Sequence, residues 1–372
     1  MHVPIFDLKV SDQILKDELM EAFSKTLEHG RLFMGPEVEE FEEKIASEVG
    51  TKYAVGVGSG SSALYMALKA SGIEPGDEVI TTPLTWIITV NAIAACGAIP
   101  VFADVREDFN IDPASIEERI TSKTKAIVPM HYAGHLCDME AICSIANANG
   151  LIVVEDAAQA FSASLNGKKA GSFSLAAGLS MNPMKTLGGY GENGVVVTNE
   201  EEVYQRLKLL RHAGTTSDPK KKITNECLEV SLNHKMDTIN AALLLVSIKY
   251  FPEKIKKREA IAKRYDRELP SNIFRQGYFK DEVHGRYCYA FKTREQKQLK
   301  KFLENNQIET KILNQPLACD APIYRQYNNY PVPLARKMID MNLVIPSHEN
   351  LRDDQIDFLI SKLNSFYQDE CT

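Results

Sequence analysis

The chain has 372 residues, of which 44% are hydrophobic and 25% are charged, so it is long enough to bury two cores and we expect two domains. Its formal net charge of -7 and its pI of about 5.7 argue against a nucleic acid or an anionic membrane as its partner. Its seven cysteines include no CxxC pair, which argues against a disulfide framework and a cysteine zinc site, and we expect no metal.

The N-terminal segment, MHVPIFDLKVSDQ, lacks the basic region and apolar core of an export signal. No stretch of the sequence is long and apolar enough to span a bilayer. Together with the unpaired cysteines, these features predict a cytoplasmic protein. The short basic run at residues 220–222 is expected to form a solvated loop.

Between residues 53 and 200, short apolar runs alternate with amphipathic stretches of helical length. These apolar runs have the length of strands, are bounded by turn residues and are separated by helices. This pattern indicates a mostly parallel sheet with helices on its faces. The predicted strands are YAVGVG (53–58), EVITT (78–82), PVFADV (100–105), KAIVPM (125–130), LIVVED (151–156), LAAGLSM (175–181) and GVVVT (194–198).

Helix signals are present as well. Ser61 or Ser62 can cap the helix SALYMALKASG, and Gly72 is expected to end it. Asp237 similarly opens the helical pattern DTINAALLLVSIKY.

After Pro252 the pattern changes to a charged helical stretch, then to a strand-like run at 286–293 and two further helical patterns. We therefore predict a large cofactor-binding domain over residues 1–250 and a smaller C-terminal α/β domain over residues 251–372. In an open parallel sheet, ligands bind at the carboxyl ends of the strands, so the residues that follow each strand are the candidates for a site.

The segment GVGSGSSALYMAL places Gly60 and Ser61 where a strand turns into a helix. Free backbone amides and hydroxyls at such a turn favour an anion, most simply a phosphate. An ordinary turn is the alternative, since glycine and serine also form these. No GKS or GKT follows, so this is not a Walker loop.

Asp156 ends an apolar run, where a carboxylate destabilises the fold unless it meets a cation. A protonated ring nitrogen would satisfy it, and the alternative is a cap of a helix that begins at Ala157. Trp86, the single tryptophan, follows another predicted strand. Its ring either stacks on a planar ligand or packs in the core.

Lys185 is the only charged residue in SMNPMKTLGGYG, between a predicted strand and a glycine cluster. A lysine in an apolar pocket has a lowered pKa, so that its neutral amine can attack a carbonyl and form a Schiff base. A lysine without a catalytic role in a glycine loop is the alternative. A phosphate cradle, a stacking ring, an acid for a ring nitrogen and an imine-forming amine together indicate pyridoxal 5'-phosphate.

Across nearly its whole length the chain resembles the DegT/DnrJ/StrS family of pyridoxal-phosphate sugar aminotransferases. The resemblance is carried by GRLFMGPEVEEFEEKIA, SGSSALYMAL, EPGDEVITTPLTWIITVNAI, GAIPVFADV, IVPMHYAGHLCDM, VEDAAQA, SMNPMKTLGGYGENGVVVT, LNHKMDTINAALLL and LVIPSHENLRDDQID. It implies the aspartate-aminotransferase fold, fold type I.

The resemblance also assigns roles around the cofactor ring. It makes Lys185 the lysine that forms the internal aldimine and pairs Asp156 with the pyridine nitrogen, and these are the two predicted catalytic residues. It places Gln159 at the ring hydroxyl and Trp86 against the ring face.

A second group of matches falls on the phosphate. Gly60, Ser61 and Ser180 match the phosphate-binding positions of the family. Asn233 matches an asparagine that reaches the phosphate from a neighbouring subunit, which implies a homodimer with shared active sites. The chain departs from the family where Met181 replaces an aromatic residue and Lys235 replaces an arginine.

The function that the resemblance implies is transfer of an amino group from an amino acid, L-glutamate, to a keto sugar that a nucleotide carries. The alternatives are a keto-cyclitol as acceptor and a regulator that binds the cofactor without catalysis. Lys185 argues against the dehydratase branch of the family, which has histidine there. The absence of GxGxxG after the first strand argues against a nicotinamide dehydrogenase.

Three further residues are candidates for substrate contacts, or alternatively for structural roles: His131, Tyr132 and His284.

Overall fold

The computed structural model describes residues 1–218, 223–277 and 279–369, so the basic run at 220–222 lies outside the described residues. The chain opens with two helices, α1 (Gln13–His29) and α2 (Pro36–Val49). The Asp12 carboxylate caps α1 by accepting the amides of Ile14 and Leu15.

A seven-stranded sheet forms the centre of the molecule, in the order β1-β9-β8-β5-β4-β2-β3. The strand β9 runs antiparallel to both of its neighbours, and the other four pairs are parallel. The predicted mostly parallel sheet is therefore confirmed. Its strands are β1 (Tyr53–Val57), β2 (Glu78–Thr81), β3 (Ile99–Phe102), β4 (Thr124–Val128), β5 (Ile152–Asp156), β8 (Ala176–Ser180) and β9 (Gly194–Thr198).

Apolar clusters pack against both faces of this sheet, as the near-continuous apolar runs of its strands require. The helices that connect its strands are α3 (Gly60–Ala70), α4 (Ile88–Ala95), α5 (Pro113–Glu117) and α6 (Met139–Ala148), and α7 (Glu201–Arg211) follows its last strand, β9.

The start of α3 differs from the prediction. Its cap is Ser59, whose hydroxyl accepts the amide of Ser62 at 3.0 Å, and neither Ser61 nor Ser62 caps it. The prediction was wrong because the helix begins at Gly60, directly after the turn that follows β1. Both predicted caps therefore lie inside the first turn of the helix.

The C-terminal part carries its own antiparallel sheet, in which β14 (Tyr289–Lys292) lies between β12 (Phe274–Arg275) and β15 (Asn342–Ile345). The helices α9 (Gln296–Asn305), α10 (Pro333–Ile339) and α11 (Asp353–Asp369) belong to this part. Two small sheets complete the fold, one of β10 (Thr215–Asp218) and β11 (Ile223–Cys227), the other of β6 (Ser164–Leu165), β7 (Lys168–Lys169) and β13 (Glu282–Val283).

One helix, α8 (Thr238–Glu268), runs through the predicted domain boundary at residues 250 and 251 and continues past Pro252. The extreme N-terminus packs against the C-terminal part of the chain. Val3 pairs with Ile308, and its carbonyl accepts the amide of Glu309 at 2.9 Å. The division into 1–250 and 251–372 stays a prediction, with α8 shared by both parts.

No helix in the part of the chain that the structure describes is both long and apolar enough to cross a bilayer.

Gly194 is a position where any side chain would disturb the sheet. A Cβ there would overlap the carbonyl group of Ser59 at the turn before α3. We expect Gly194→Ala to lower the free energy of unfolding by about 1–3 kcal/mol, because the rigid backbone must move to admit the methyl group. Urea unfolding followed by circular dichroism measures this.

The matched control is Gly277→Ala, since a Cβ at Gly277 meets nothing within 4 Å. We expect a change of less than about 0.5 kcal/mol from it. Equal effects of the two substitutions would contradict the role of Gly194.

Candidate active site

Two adjacent strands bring the predicted catalytic residues to one edge of the sheet. Asp156 is the last residue of β5, and Lys185 lies in the loop that follows β8. These strands are parallel neighbours, with Asp156 opposite Gly178. Because the carboxyl ends of parallel strands meet at the same edge, the acid and the amine face each other there, close enough for each to influence the pKa of the other.

Lys185 is partly buried, and its Nζ lies 4.3 Å from the centroid of the Tyr287 ring. Burial lowers the pKa of Lys185 to about 8, although the negative charge of Asp156 acts in the opposite direction. Near neutral pH a useful fraction of this amine is therefore uncharged, as attack on a carbonyl requires.

Asp156 is buried, and neutral donors hold both of its carboxylate oxygens. Oδ2 accepts the hydroxyl of Thr89 at 2.7 Å, and Oδ1 accepts the amide of Ala158 at 3.1 Å. Burial raises the pKa of Asp156, while these hydrogen bonds and the charge of Lys185 lower it in part. Turns follow β5, so the alternative of a cap for a helix at Ala157 is wrong.

The N-terminus of α3 and Ser180 form a tight cradle. Ser62 and Ala63 donate their amides to Ser59, which leaves the amides of Gly60 and Ser61 outside the helical ladder. A Cβ at Gly60 would lie 2.6 Å from the Cβ of Ser180, so only glycine permits this approach. Ser61 is exposed at the opening of the cradle. Free amides, a helix N-terminus and hydroxyl groups suit a phosphate.

Trp86 is 61% exposed, which rules out the core position considered from the sequence and leaves its ring free to stack on a ligand. Gln159 is buried and accepts the amide of Ala133 through Oε1 at 2.9 Å. The Nε2 group at the other end of its side-chain amide carries only hydrogen-bond donors. A ring hydroxyl oxygen could accept a hydrogen bond from it.

The structure does not bring the three candidate substrate residues to the opening. The His131 Nε2 lies 3.0 Å from Glu155, and the Tyr132 hydroxyl lies 3.2 Å from the Leu313 carbonyl, both in the core. His284 is buried and accepts the amide of Arg286 at Nδ1. The geometry therefore favours the structural alternative for all three.

Sequence reasoning missed Tyr287 beside Lys185 and Thr89 beside Asp156. Neither carried a local signal, since one lies in a strand-like run and the other in an apolar helix. It also missed a cavity of 340 Å³ beside Lys185, where the loop of Lys185 meets segments that are distant in sequence. The loop contributes Pro183, Gly188, Gly189 and Tyr190, and the distant segments contribute Asp7, Leu8, Lys9, Val10, Ser11, Asp12, Leu15, Lys254, Glu349 and Asn350.

Asn233 lies at the surface, and its Oδ1 accepts the amide of Lys235 at 3.3 Å. The carbonyl oxygen of the next residue, His234, accepts the amide of Gly58 at 3.0 Å, so this segment runs beside the turn that leads into α3. The role of Asn233 towards a second subunit stays a prediction.

The profile of the DegT/DnrJ/EryC1/StrS aminotransferase family matches residues 13–364. A pleiotropic regulatory protein of Geobacillus stearothermophilus is 36% identical over 99% of both chains. A UDP-2-acetamido-2-deoxy-3-oxo-D-glucuronate aminotransferase of Pseudomonas aeruginosa is 37% identical over 72% of this chain and 73% of its own. A crystal structure of S. venezuelae DesV in complex with a ketimine intermediate is 32% identical and covers 98% of both chains, with a TM-score of 0.92.

The lowered pKa of Lys185 predicts an unusual reactivity in the cofactor-free protein. We expect its labelling by fluorodinitrobenzene to rise with a midpoint near pH 8, because only the neutral amine reacts. Asp156→Asn should move this midpoint to lower pH, since it removes the charge that favours the ammonium form. Peptide mass spectrometry at a series of pH values measures both.

The exposed Lys168 in the same digest is the internal reference. Parallel labelling of Lys168 and Lys185 at every pH would contradict the buried environment assigned to Lys185.

Proposed function

The chain belongs to the DegT/DnrJ/EryC1/StrS aminotransferase family, and on this basis we propose that it is a pyridoxal-phosphate-dependent transaminase. It moves an amino group from an amino acid, L-glutamate, to a keto sugar that a nucleotide carries. The observation that carries the proposal is the meeting of Lys185, with its pKa lowered to about 8, and the buried Asp156 at the sheet edge that also holds the cradle.

The residues present fit the cofactor. The cradle of Gly60, Ser61 and Ser180 would hold the phosphate, and the missing Cβ of Gly60 allows its close approach to Ser180. Within residues 1–218, 223–277 and 279–369, no cationic side chain lies within 4 Å of the Asp156 carboxylate. A protonated ring nitrogen would therefore be the cationic partner of this carboxylate. Trp86 would cover one face of the ring.

When bound, the cofactor supplies an aldehyde and a ring that withdraws electrons. Lys185 is the neutral amine that would hold this aldehyde, and it would become free as a base once an amino donor takes its place. Its amine would then take a proton from the α-carbon of the donor and deliver it as an acid to the carbon of the former aldehyde, for which a pKa of about 8 suits neutral conditions. Asp156 keeps the ring nitrogen protonated, and Gln159 orients the ring through its hydroxyl.

We propose that two chains form a homodimer with shared sites, in which Asn233 reaches the phosphate bound by its partner. Support comes from Leu228, Val230 and Leu232, three large apolar side chains that the single chain leaves exposed next to Asn233. A patch of this kind is typical of a protein interface.

We also propose that the protein works in the cytoplasm. Six cysteines in the described part of the chain are free thiols, which suits a reducing compartment.

A cofactor-binding regulator is the second candidate, because a relative that matches the chain over 99% of its length carries the name of a regulatory protein. This alternative keeps the cofactor site and removes turnover. Measurement of product therefore separates the two candidates.

The direct test mixes the purified protein and glutamate with a panel of nucleotide-linked 3-keto and 4-keto sugars and a keto-cyclitol. We expect mass spectrometry to detect an amino sugar from a nucleotide-linked ketone. Binding of the cofactor without any product across the panel would favour the regulator, and a product from the cyclitol alone would move the assignment to that substrate.

Lys185→Ala should abolish the visible absorbance of the cofactor-loaded protein and lower single-turnover amination by at least about a thousandfold. The reason is that Lys185 is the amine proposed both to bond to the aldehyde and to move the proton. Lys168→Ala, a change at an exposed lysine, is the matched control and should behave as the wild type. Amination by Lys185→Ala at the parent rate would overturn the assignment.

Shared sites predict complementation. Asn233→Ala should weaken cofactor binding about tenfold or more, because it removes a hydrogen bond to a charged phosphate. Co-expressed Lys185→Ala and Asn233→Ala chains should regain about a quarter of the wild-type activity, since random pairing gives mixed dimers with one intact site. Activity no higher than that of the separate variants would show that Asn233 acts within its own chain.

A further inference from the structure

Two buried threonines lie between Asp156 and the backbone carbonyl of Trp86. Thr89 lies in the first turn of α4 and donates its hydroxyl to Asp156 Oδ2 at 2.7 Å. The Oγ1 atoms of Thr85 and Thr89 are 2.6 Å apart, and Thr85 Oγ1 lies 3.3 Å from the carbonyl oxygen of Trp86. Both threonines and Asp156 are buried, so water does not compete for these bonds.

The number of protons fixes the direction of this chain of hydroxyls. Each threonine has one hydroxyl hydrogen. While Thr89 donates to the ionised carboxylate, the short contact between the two threonines requires the proton of Thr85. Both hydroxyls then point towards Asp156, and Thr85 makes no bond to the Trp86 carbonyl. A protonated Asp156 would reverse these two bonds and turn the Thr85 hydroxyl towards the Trp86 carbonyl, which would make a third.

Other contacts favour the ionised arrangement. The amide of Ala158 donates to the second carboxylate oxygen at 3.1 Å. Thr89 belongs to the first turn of α4, where the positive end of the helix dipole stabilises an anion. The titratable groups that influence Asp156 from neighbouring segments are Lys185, His131 and Cys137.

We propose that Thr89 and Thr85 are positioning residues, which hold the Asp156 carboxylate ionised and in one orientation for the cationic ring nitrogen of the cofactor. This proposal rests on the proposed function, because it concerns the same acid. Without the Thr89 hydroxyl, one carboxylate oxygen loses its donor in a buried place. The charged form of Asp156 then becomes less stable, and its pKa rises further.

The single tryptophan makes this testable without turnover. Trp86 is the only tryptophan of the chain and adjoins Thr85, so the quenching of its emission reports occupancy of this site. The probe is pyridoxamine 5'-phosphate, which keeps the ring nitrogen and the phosphate but forms no bond with lysine amines. Its dissociation constant is measured for the full-length protein at a series of pH values.

The matched pair is Thr89→Val, which keeps the shape and removes the hydroxyl, and Thr89→Ser, which keeps the hydroxyl. We expect Thr89→Val to weaken binding about ten- to hundredfold. It should also move the loss of affinity on acidification to higher pH, because Asp156 takes up its proton earlier. Thr89→Ser should restore both the affinity and the pH profile.

Thr85→Val supplies an independent measurement, since its hydroxyl acts on Asp156 only through Thr89. We expect a smaller change in the same direction, and this variant decides the matter if Thr89→Val does not fold. Equal affinities and pH profiles of the valine and serine variants, with a wild type that binds the probe, would overturn the threonine chain alone. A wild type that does not bind the probe would overturn the proposed function itself.

Discussion

The site depends on the mutual influence of one buried carboxylate and one partly buried amine. Burial raises the pKa of Asp156 and lowers that of Lys185, while each charge favours the charged form of the other. A cation that pairs with Asp156 neutralises its charge, so that Asp156 favours the ammonium form of Lys185 less strongly. Binding of a ring cation at the carboxylate therefore also favours the neutral amine. The same electrostatic interaction thus prepares both groups for chemistry at a carbonyl.

The sheet holds these groups in place through contacts of the backbone. Gly178, opposite Asp156, lets α3 approach β8, since a Cβ there would lie 2.9 Å from the amide of Leu64. Gly60 allows the same closeness to Ser180. The distance between the phosphate cradle and the acid is therefore set by rigid elements and not by side-chain rotamers, as a site that orients a planar cofactor requires.

This fold is compatible with either a catalytic or a regulatory function. A relative with a regulatory name and a relative that is an aminotransferase are about equally similar to the chain, at 36% and 37% identity. The fold alone does not distinguish the two functions, because one fold can carry either. The N-terminal segment, Lys254 and Glu349 line the cavity beside Lys185, so residues far apart in the chain shape the space next to this amine.

The sequence by itself determined the parallel sheet, Lys185 as a lone cation in an apolar loop and Asp156 as an acid at the end of a buried strand, because strand periodicity and isolated charges are local signals. The burial of His131 and Tyr132, the passage of α8 through Pro252 and the approach of Tyr287 to Lys185 were decided only by the tertiary structure. Which face a side chain occupies and which distant residue it meets depend on packing between segments far apart in the chain, and no local pattern records that.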